Sequence, residues 1–335
     1  MEISGKKILI TGGAGFIGSH IVDDLVSQGA EVTVYDNFSS GNEKYLEQVK
    51  NKIQIVEDDI LNVKGLEKVF KSKFDIVSHQ AAQLEIFKCL EDIMYDLNTN
   101  LIGTINVLNL CIKYNVKKII NASSACVYGQ AIDVPQTEEH PKKPHWPYGA
   151  SKLSTEAYCS FFSEFYKLPI VNLRYSIIFG PREWFGRVIP IFIKRVCNGK
   201  PPVIFGDGNQ IRDFLYVSDL VDFHRKVILN NNSDGQVYNV SSGIGTKINE
   251  LANLICKLSD ADLEPVYEDV KAGELSKLVE GRKRIPAELK CMHLSNAKAK
   301  KELNWEPKIS LKDGIKKEIK WYLENKELWE SRYKI

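Results

Sequence analysis

KKILITGGAGFIGSH, residues 6–20, opens on an apolar run, turns through four glycines and continues with helical spacing. That order predicts a strand, a phosphate-binding loop and a helix. Two glycine registers fit: Gly13, Gly15 and Gly18 give G-x-G-x-x-G, and Gly12, Gly15 and Gly18 give G-x-x-G-x-x-G. In either, one glycine permits the tight turn, one lets the backbone approach a pyrophosphate, and one lets the helix pack on the strand. The free N–H groups of the helix start then face the anion. The plain alternative is an ordinary strand-to-helix turn; the apolar run before it and the helical spacing after it favour the nucleotide reading.

Outward from that turn, EVTVYD (31–36) predicts a second strand. It ends on Asp36, 18 positions past Gly18 (36 − 18), close to the offset of roughly 20 at which an acid accepts ribose hydroxyls. No Arg or Lys adjoins Asp36, so a 2′-phosphate would meet an uncompensated carboxylate, and the cofactor expected is NAD rather than NADP. After a polar loop, NFSSGNEK, a third strand over 52–57 leads to Asp58, Asp59 and Ile60, where acids at a strand end suggest contacts to adenine. A short helix is expected over 63–71. A strand over 74–82 follows, whose last small residues let a cofactor approach. His79 in that strand reads as a satisfied core histidine.

Residues 92–114, apolar at Ile93, Leu97, Leu101, Ile105, Leu108 and Ile112, predict one long helix, and 116–123 a fifth strand. The alternation implies a doubly wound, Rossmann-type α/β fold with a parallel sheet and ligands at the carboxyl ends of the strands, where the glycine turn, Asp36, Asp59, Ala81 and Ser124 fall. A proline-rich loop (129–147) precedes a helix over 148–166, and a strand over 168–175 is expected to close the sheet. Beyond Gly180 the alternation turns irregular: a helix near 188–198, strands near 203–205 and 214–217, a helix from 218, and a closing helix over 314–324 with Ile315, Ile319 and Leu323 on one side. The chain therefore reads as a nucleotide-binding domain over 1–180 and a smaller mixed α/β substrate lobe over 181–335, with a crossing back near 206–245.

The 335 residues are 44% hydrophobic and carry 45 basic against 43 acidic groups. Nothing in that balance argues for nucleic acid or an anionic membrane as partner, and the basic stretches at 142–143 and 282–284 read as solvated surface. Seven cysteines without a C-x-x-C or a Cys/His cluster suit reduced thiols in the cytoplasm and no metal. No signal peptide and no membrane span are expected.

Ser124, Tyr148 and Lys152 are the candidate catalytic set. Tyr148 and Lys152 are four apart on one helix face. A Lys ammonium beside a phenol, aided by a positive nicotinamide, would lower its pKa from about 10 toward neutrality. The phenolate could then take a proton from a sugar hydroxyl, with Ser124 orienting or relaying it.

These motifs resemble the extended short-chain dehydrogenase/reductases, and within them the nucleotide-sugar 4-epimerases. TGGAGFIG (11–18), HQAAQ (79–83), NLIGT (100–104), SSACVYG (123–129) and PYGASK (147–152) follow the family pattern, and LRYSIIFGPR (173–182), IFGDGNQIRDFLYVSD (204–219) and AKKELNWEP (299–307) are similar to its substrate lobe. The resemblance implies that Asp36 and Asn37 hold the adenosine ribose, Asp59 and Ile60 the adenine, and Asn100 and Lys152 the nicotinamide side. It also implies cofactor contacts from Gly12, Gly15, Phe16, Ile17, Gly18, Ser40, Gln80, Ala81, Ala82, Gln83, Tyr175 and Ser176. Val203 and Phe205 would flank uracil, and Arg212 would bind the diphosphate of a UDP-sugar. The expected activity is NAD-dependent 4-epimerisation. Another epimerase, dehydratase or reductase of the same scaffold, or a non-catalytic NAD-binding regulator, is the alternative.

The departures matter. Similar 4,6-dehydratases carry Asp-Glu after the catalytic Ser or Thr, and similar decarboxylases carry a Glu before Val-Tyr-Gly; here Ala125 and Cys126 stand there. Ile177 and Arg187 replace asparagines the family often has. The extra segment EGRKRIPAEL leaves Lys271, Arg282 and Arg284 as rival phosphate ligands. Arg182 and Arg187 flank Trp184-Phe185-Gly186 beside the expected sugar pocket. A diphosphate role is the plain reading of both, but a spare guanidinium also suits the carboxylate of a hexuronic acid, so UDP-glucose/UDP-galactose and UDP-glucuronate/UDP-galacturonate are both candidate pairs. Helices 92–114 and 148–166 carry more apolar surface than one sheet face covers, and in similar enzymes they build a dimer's four-helix bundle, so a homodimer is expected.

Overall fold

Strand β1 (Lys7–Thr11) sends Ile8 and Ile10 to one face and Leu9 to the other, all three shut off from solvent. Burial on both faces is the signature of a central parallel strand. The computed structural model describes residues 2–183 and 186–330. The glycine turn delivers α1 (Phe16–Ser27), followed by β2 (Glu31–Asp36) and β3 (Ile53–Glu57). Between these two strands the chain runs through a 3-10 helix, Glu43–Lys52, started by the Asn42 side chain accepting from the Lys44 N–H; the polar composition of 37–44 had suggested only loop. Helix α2 (Val63–Phe70) leads to β4 (Ile76–His79). Then come α3 (Ile86–Glu91), α4 (Ile93–Leu97), α5 (Gly103–Lys113), β5 (Lys118–Ser124), α6 (Pro147–Tyr166) and β6 (Ile170–Tyr175).

The remainder supplies β7 (Ile177–Phe179), α7 (Val188–Cys197), β8 (Val203–Phe205), β9 (Ile211–Tyr216), α8 (Val217–Leu229) and β10 (Val237–Val240). The main sheet has the order β10-β6-β5-β4-β1-β2-β3, parallel throughout. Strand β6 therefore does not close it, contrary to expectation. Helix α8 brings the chain back because Leu220, Phe223, Val227 and Ile228 form an apolar face that packs on the same core as Ile8 and Ile10, and β10 then pairs beyond β6, Val237 opposite Asn172.

After β11 (Gly245–Lys247), α9 (Ile248–Leu258), β12 (Val266–Glu268) and β13 (Cys291–Met292), the chain ends its described part with α10 (Ala297–Leu303), α11 (Leu311–Glu324) and a short terminal helix. Strand β9 organises a second sheet, pairing in parallel with β7 and β13 and antiparallel with β11, while β8 pairs with β12. No helix among the described residues is long and apolar enough to cross a membrane.

Two helix expectations change. The segment over 92–114 is not one regular helix: α4 passes through a π turn at Asn98–Ile102 into α5. The buried face there is Asp96, Asn100, Gly103, Thr104 and Val107, because Asn100 is drawn inward by bonds to Asp96, Gln83 and Ser151. In α11, Leu323 is 59% exposed; Tyr322 takes the buried place, its hydroxyl accepting from Asn198 Nδ2 at 2.9 Å.

Candidate active site

The chain visits β1, β2 and β3 in one direction and β4, β5 and β6 in the other, so a crevice opens between the carboxyl ends of β1 and β4. Gly12 sits there at φ +69°, where a Cβ would lie 2.6 Å from the Ala81 nitrogen, and a Cβ on Gly18 would lie 2.1 Å from the Gly12 carbonyl oxygen. Only glycine allows either approach. Gly12, Gly15 and Gly18 line the crevice, whereas Gly13 packs toward Val34, which decides between the two registers. Gly15, the residue before α1, offers no side-chain cap and the first turn holds no acid, so the first N–H groups of α1 face the crevice unneutralised.

Asp36 holds this loop in shape: its carboxylate accepts from the Ala14 N–H at 2.9 Å and the Phe38 N–H at 2.8 Å. Asp59 accepts from Asn37 Nδ2 at 2.7 Å. Phe16, Ile17, Asp36, Asn37, Ser40, Asp59 and Ile60 line one end of the crevice; Gln80, Ala81, Ala82, Gln83, Tyr148, Lys152, Tyr175 and Ser176 line the other. The Ser176 hydroxyl is buried there without a partner among the described residues. A capless helix start, a glycine cradle and an orphaned hydroxyl along one cleft fit a dinucleotide. Asn100 is the exception among the expected cofactor residues. It lies behind the wall, its amide spent on Gln83, Asp96 and Ser151, and it braces Gln83 rather than lining the cleft. His79 is a core histidine, bonded to Thr11 at 2.7 Å and Thr104 at 2.9 Å.

Ser124 ends β5 and Tyr148 starts α6, and the serine hydroxyl faces the phenol. Lys152 Nζ lies 6.0 Å from the Tyr148 ring centre and donates to the Ala122 carbonyl at 2.8 Å. Burial pulls the Lys152 ammonium down to about 8 and pushes the Tyr148 phenol well above its ordinary value. The expected depression of the phenol by Lys152 is therefore absent from the chain by itself, since desolvation dominates; among its side chains, the Ser124 hydroxyl and the Arg187 guanidinium oppose that rise.

A second cavity adjoins the first. Ser124, Tyr148 and Arg187 border both. Its walls include Cys126, Ile177, Val203, Phe205, Gln210, Arg212, Arg282 and Arg284. The 282–284 stretch is thus not simply solvated surface: Arg282 donates to the Gly186 carbonyl at 2.6 Å and burial lowers it to about 10, and Arg284 donates to the Val270 carbonyl at 2.8 Å. Glu288, absent from the sequence reading, stands between Arg212 (3.5 Å) and Arg284 (3.3 Å); the i, i+4 spacing of Arg284 and Glu288 was its only signal. Glu85, also unforeseen, borders both cavities. Lys271 lines neither. Arg182 turns away and pairs with Asp23 at 2.8 Å. Trp184 and Phe185 lie outside the described residues. Arg187 caps α7 with a third of its side chain exposed, its Nη1 3.4 Å from the Ile178 carbonyl oxygen and 3.9 Å from Glu183 Oε1.

The sequence pattern of the GDP-mannose 4,6-dehydratase family matches residues 9–318. The solved UDP-glucose 4-epimerase of Thermotoga maritima, with UDP-glucose, is 36% identical and superposes with a TM-score of 0.87 over 96% of this chain and 100% of its own. The UDP-glucose 4-epimerase of Thermus thermophilus, in complex with NAD, is 31% identical with a TM-score of 0.83 over 95% and 99% of the two chains. The UDP-glucose 4-epimerase of Mycolicibacterium smegmatis is 30% identical over 322 residues, 94% of this chain and 98% of that relative.

Proposed function

The chain belongs to the GDP-mannose 4,6-dehydratase family of nucleotide-sugar epimerases and dehydratases, and from that premise we propose that it is an NAD-dependent UDP-sugar 4-epimerase. The observation that carries this reading is the wall shared by the two cavities, where Ser124, Tyr148 and Arg187 meet. A sugar in the second cavity and a dinucleotide in the crevice would come together there.

NAD, when bound, supplies an acceptor for the hydride from sugar C4 and a donor for its return to the other face. In this reading the α1 N–H groups and Gly12, Gly15 and Gly18 receive the pyrophosphate, and Asp36 and Asn37 the adenosine ribose. Tyr148 takes the C4 hydroxyl proton and gives it back, Ser124 holds that hydroxyl in line, and Lys152 anchors the nicotinamide side. Val203 and Phe205 flank uracil, and Arg212, Arg282 and Arg284 face the diphosphate.

Ala125 and Cys126 offer no carboxylate beside Ser124, which speaks against elimination or decarboxylation driven from there. Glu85 on the shared wall keeps one second reading, a dehydratase using that acid. Arg187 borders both cavities, whereas Arg212, Arg282 and Arg284 border only the second, so its guanidinium can serve the carboxylate of a hexuronate as well as the diphosphate, and both substrate pairs stay in the reading. The test is incubation of the purified protein with UDP-glucose and UDP-glucuronate without added NAD, with products identified by NMR. C4-inverted product supports the epimerase, a 4-keto-6-deoxy product the dehydratase, and no product the regulator. A preference for UDP-glucose removes the uronate assignment. We also read the molecule as a homodimer built on α4, α5 and α6, working in a reducing compartment such as the cytoplasm, given seven unpaired cysteines.

A further inference from the structure

Among the described residues Glu85 is the one acid that borders both the nucleotide crevice and the substrate cavity, and the epimerase reaction gives it no part. Its backbone is fixed from behind. The Gln83 side chain accepts from the Glu85 N–H and donates from Nε2 to the Glu85 carbonyl at 3.0 Å. Asn100 clamps Gln83 in turn, accepting from its N–H at 2.8 Å and donating to its carbonyl at 3.0 Å. Gln83 and Asn100 are both buried. With its own N–H and carbonyl spent on this frame, what Glu85 offers the cavities is its side chain. That carboxylate does not cap α3, which starts at the next residue, and it holds no hydrogen bond or ion pair among the described residues. Lys88, one turn on, lies over the Tyr95 ring instead, 4.7 Å from its centre. Arg187, on the same wall, turns to the Ile178 carbonyl and to Glu183. Leu84, Ile86 and Phe87 make the wall beside Glu85 apolar. A half-buried carboxylate without a counter-charge accepts hydroxyl donors and repels a second carboxylate.

We propose that Glu85 determines the sugar specificity, accepting the hydroxyl groups of a neutral hexose and turning away a hexuronate; this rests on the function proposed above. The two candidate substrate pairs share uridine and diphosphate and differ at C6, a hydroxymethyl group against a carboxylate. C6 is two bonds from C4, so with C4 presented to Tyr148 the C6 group comes to the same wall. Arg187 can serve the diphosphate that both carry, whereas Glu85 acts on the difference between them. A C6 hydroxyl donates to it in a charge-assisted bond. A C6 carboxylate meets a like charge in partly dry surroundings, with no donor to offer.

The experiment measures kcat and KM for UDP-glucose and UDP-glucuronate in the purified holoprotein, for wild type, Glu85→Gln and Glu85→Asp, with bound NAD counted in each as a check on the fold. Wild type should prefer UDP-glucose. Glu85→Gln, of the same shape without the charge, should shift the ratio of the two kcat/KM values toward UDP-glucuronate by about tenfold or more, mainly through KM. Glu85→Asp keeps the charge and should keep the wild-type order of preference. A ratio that does not move in Glu85→Gln, or a wild type that prefers UDP-glucuronate, overturns the proposal. So does a 4-keto-6-deoxy product that Glu85→Gln cannot form, since Glu85 is then the acid of a dehydratase. Should neither sugar turn over, the epimerase reading falls, and calorimetric titration of the same two sugars decides the role of Glu85 separately. A binding ratio that Glu85→Gln shifts toward UDP-glucuronate upholds it; an unshifted ratio, or no binding of either sugar, overturns it.

Discussion

In the proposed function Tyr148 is the residue on which the chemistry turns. Tyr148→Phe should lower turnover at least about a thousandfold while bound NAD, released by heating and counted by absorbance, stays at the wild-type level; residual activity of several per cent would remove the base assignment. Lys152 is held against its own charge preference, since burial lowers it from 10.5 to about 8. A base whose folded pKa lies below its unfolded value weakens the fold wherever it is charged. The penalty is complete below about pH 8 and is relieved as pH rises toward 10.5. Lys152→Met should therefore melt several degrees higher than wild type at pH 7 and have little activity; an unchanged or lower melting point would contradict the burial argument. Arg187→Ala should impair UDP-glucuronate much more than UDP-glucose, and an equal loss on both would leave Arg187 as a diphosphate ligand.

At the scale of elements, the strand-turn-helix over 7–27 needs no help from the rest of the chain to be read, but its tightness comes from the segment just after β4, where the Ala81 backbone closes on Gly12. Gly18→Ala would drive a methyl to 2.1 Å from the Gly12 carbonyl oxygen, which neither α1 nor the turn can yield without opening the cradle. That variant should purify with little or no NAD, and full NAD occupancy would show that α1 is free to shift. The π turn between α4 and α5 teaches the opposite lesson. The apolar spacing of Ile93, Leu97, Leu101 and Ile105 is a helix signal, yet the side that turns inward carries Asp96 and Asn100. Polar bonds to Gln83 and Ser151 outweigh the apolar stripe there, and hydropathy has no term for them.

At the scale of the whole molecule, that displaced stripe adds to an apolar outer surface. Ile93, Met94 and Ile102 are exposed, and so on α6 are Phe161, 48% exposed, and Phe165, 71% exposed, the two rings stacked at 5.4 Å. A double change, Phe161→Glu with Phe165→Glu, should convert a dimer to a monomer in light scattering; a monomeric wild type would refute the dimer itself. The pH response of the fold follows from two buried histidines, His79 and His224, and the half-buried His20. Burial lowers His20 to about 4 and His79 and His224 to about 3. Each favours folding in its neutral form, so stability is full above about pH 6.5 and falls as pH drops toward these values. The urea midpoint should decline from about pH 6.5 downward, and less steeply in His224→Gln, where an amide can still bond Ser78 but cannot titrate.

The sequence by itself determined the doubly wound sheet and most of the residues along the crevice. Glycine spacing, apolar runs and the acid at the end of β2 are local signals, each written within some 20 neighbouring residues. Only the tertiary structure decided what depends on distant partners. The pairing of β10 beyond β6, the choice of Gly12 over Gly13, the retreat of Asn100 behind the wall and the turning of Arg182 to Asp23 all belong to this class. So does the electrostatic state of Tyr148 and Lys152. Desolvation, unlike spacing, is a property of everything packed around a group, and no stretch of sequence carries it.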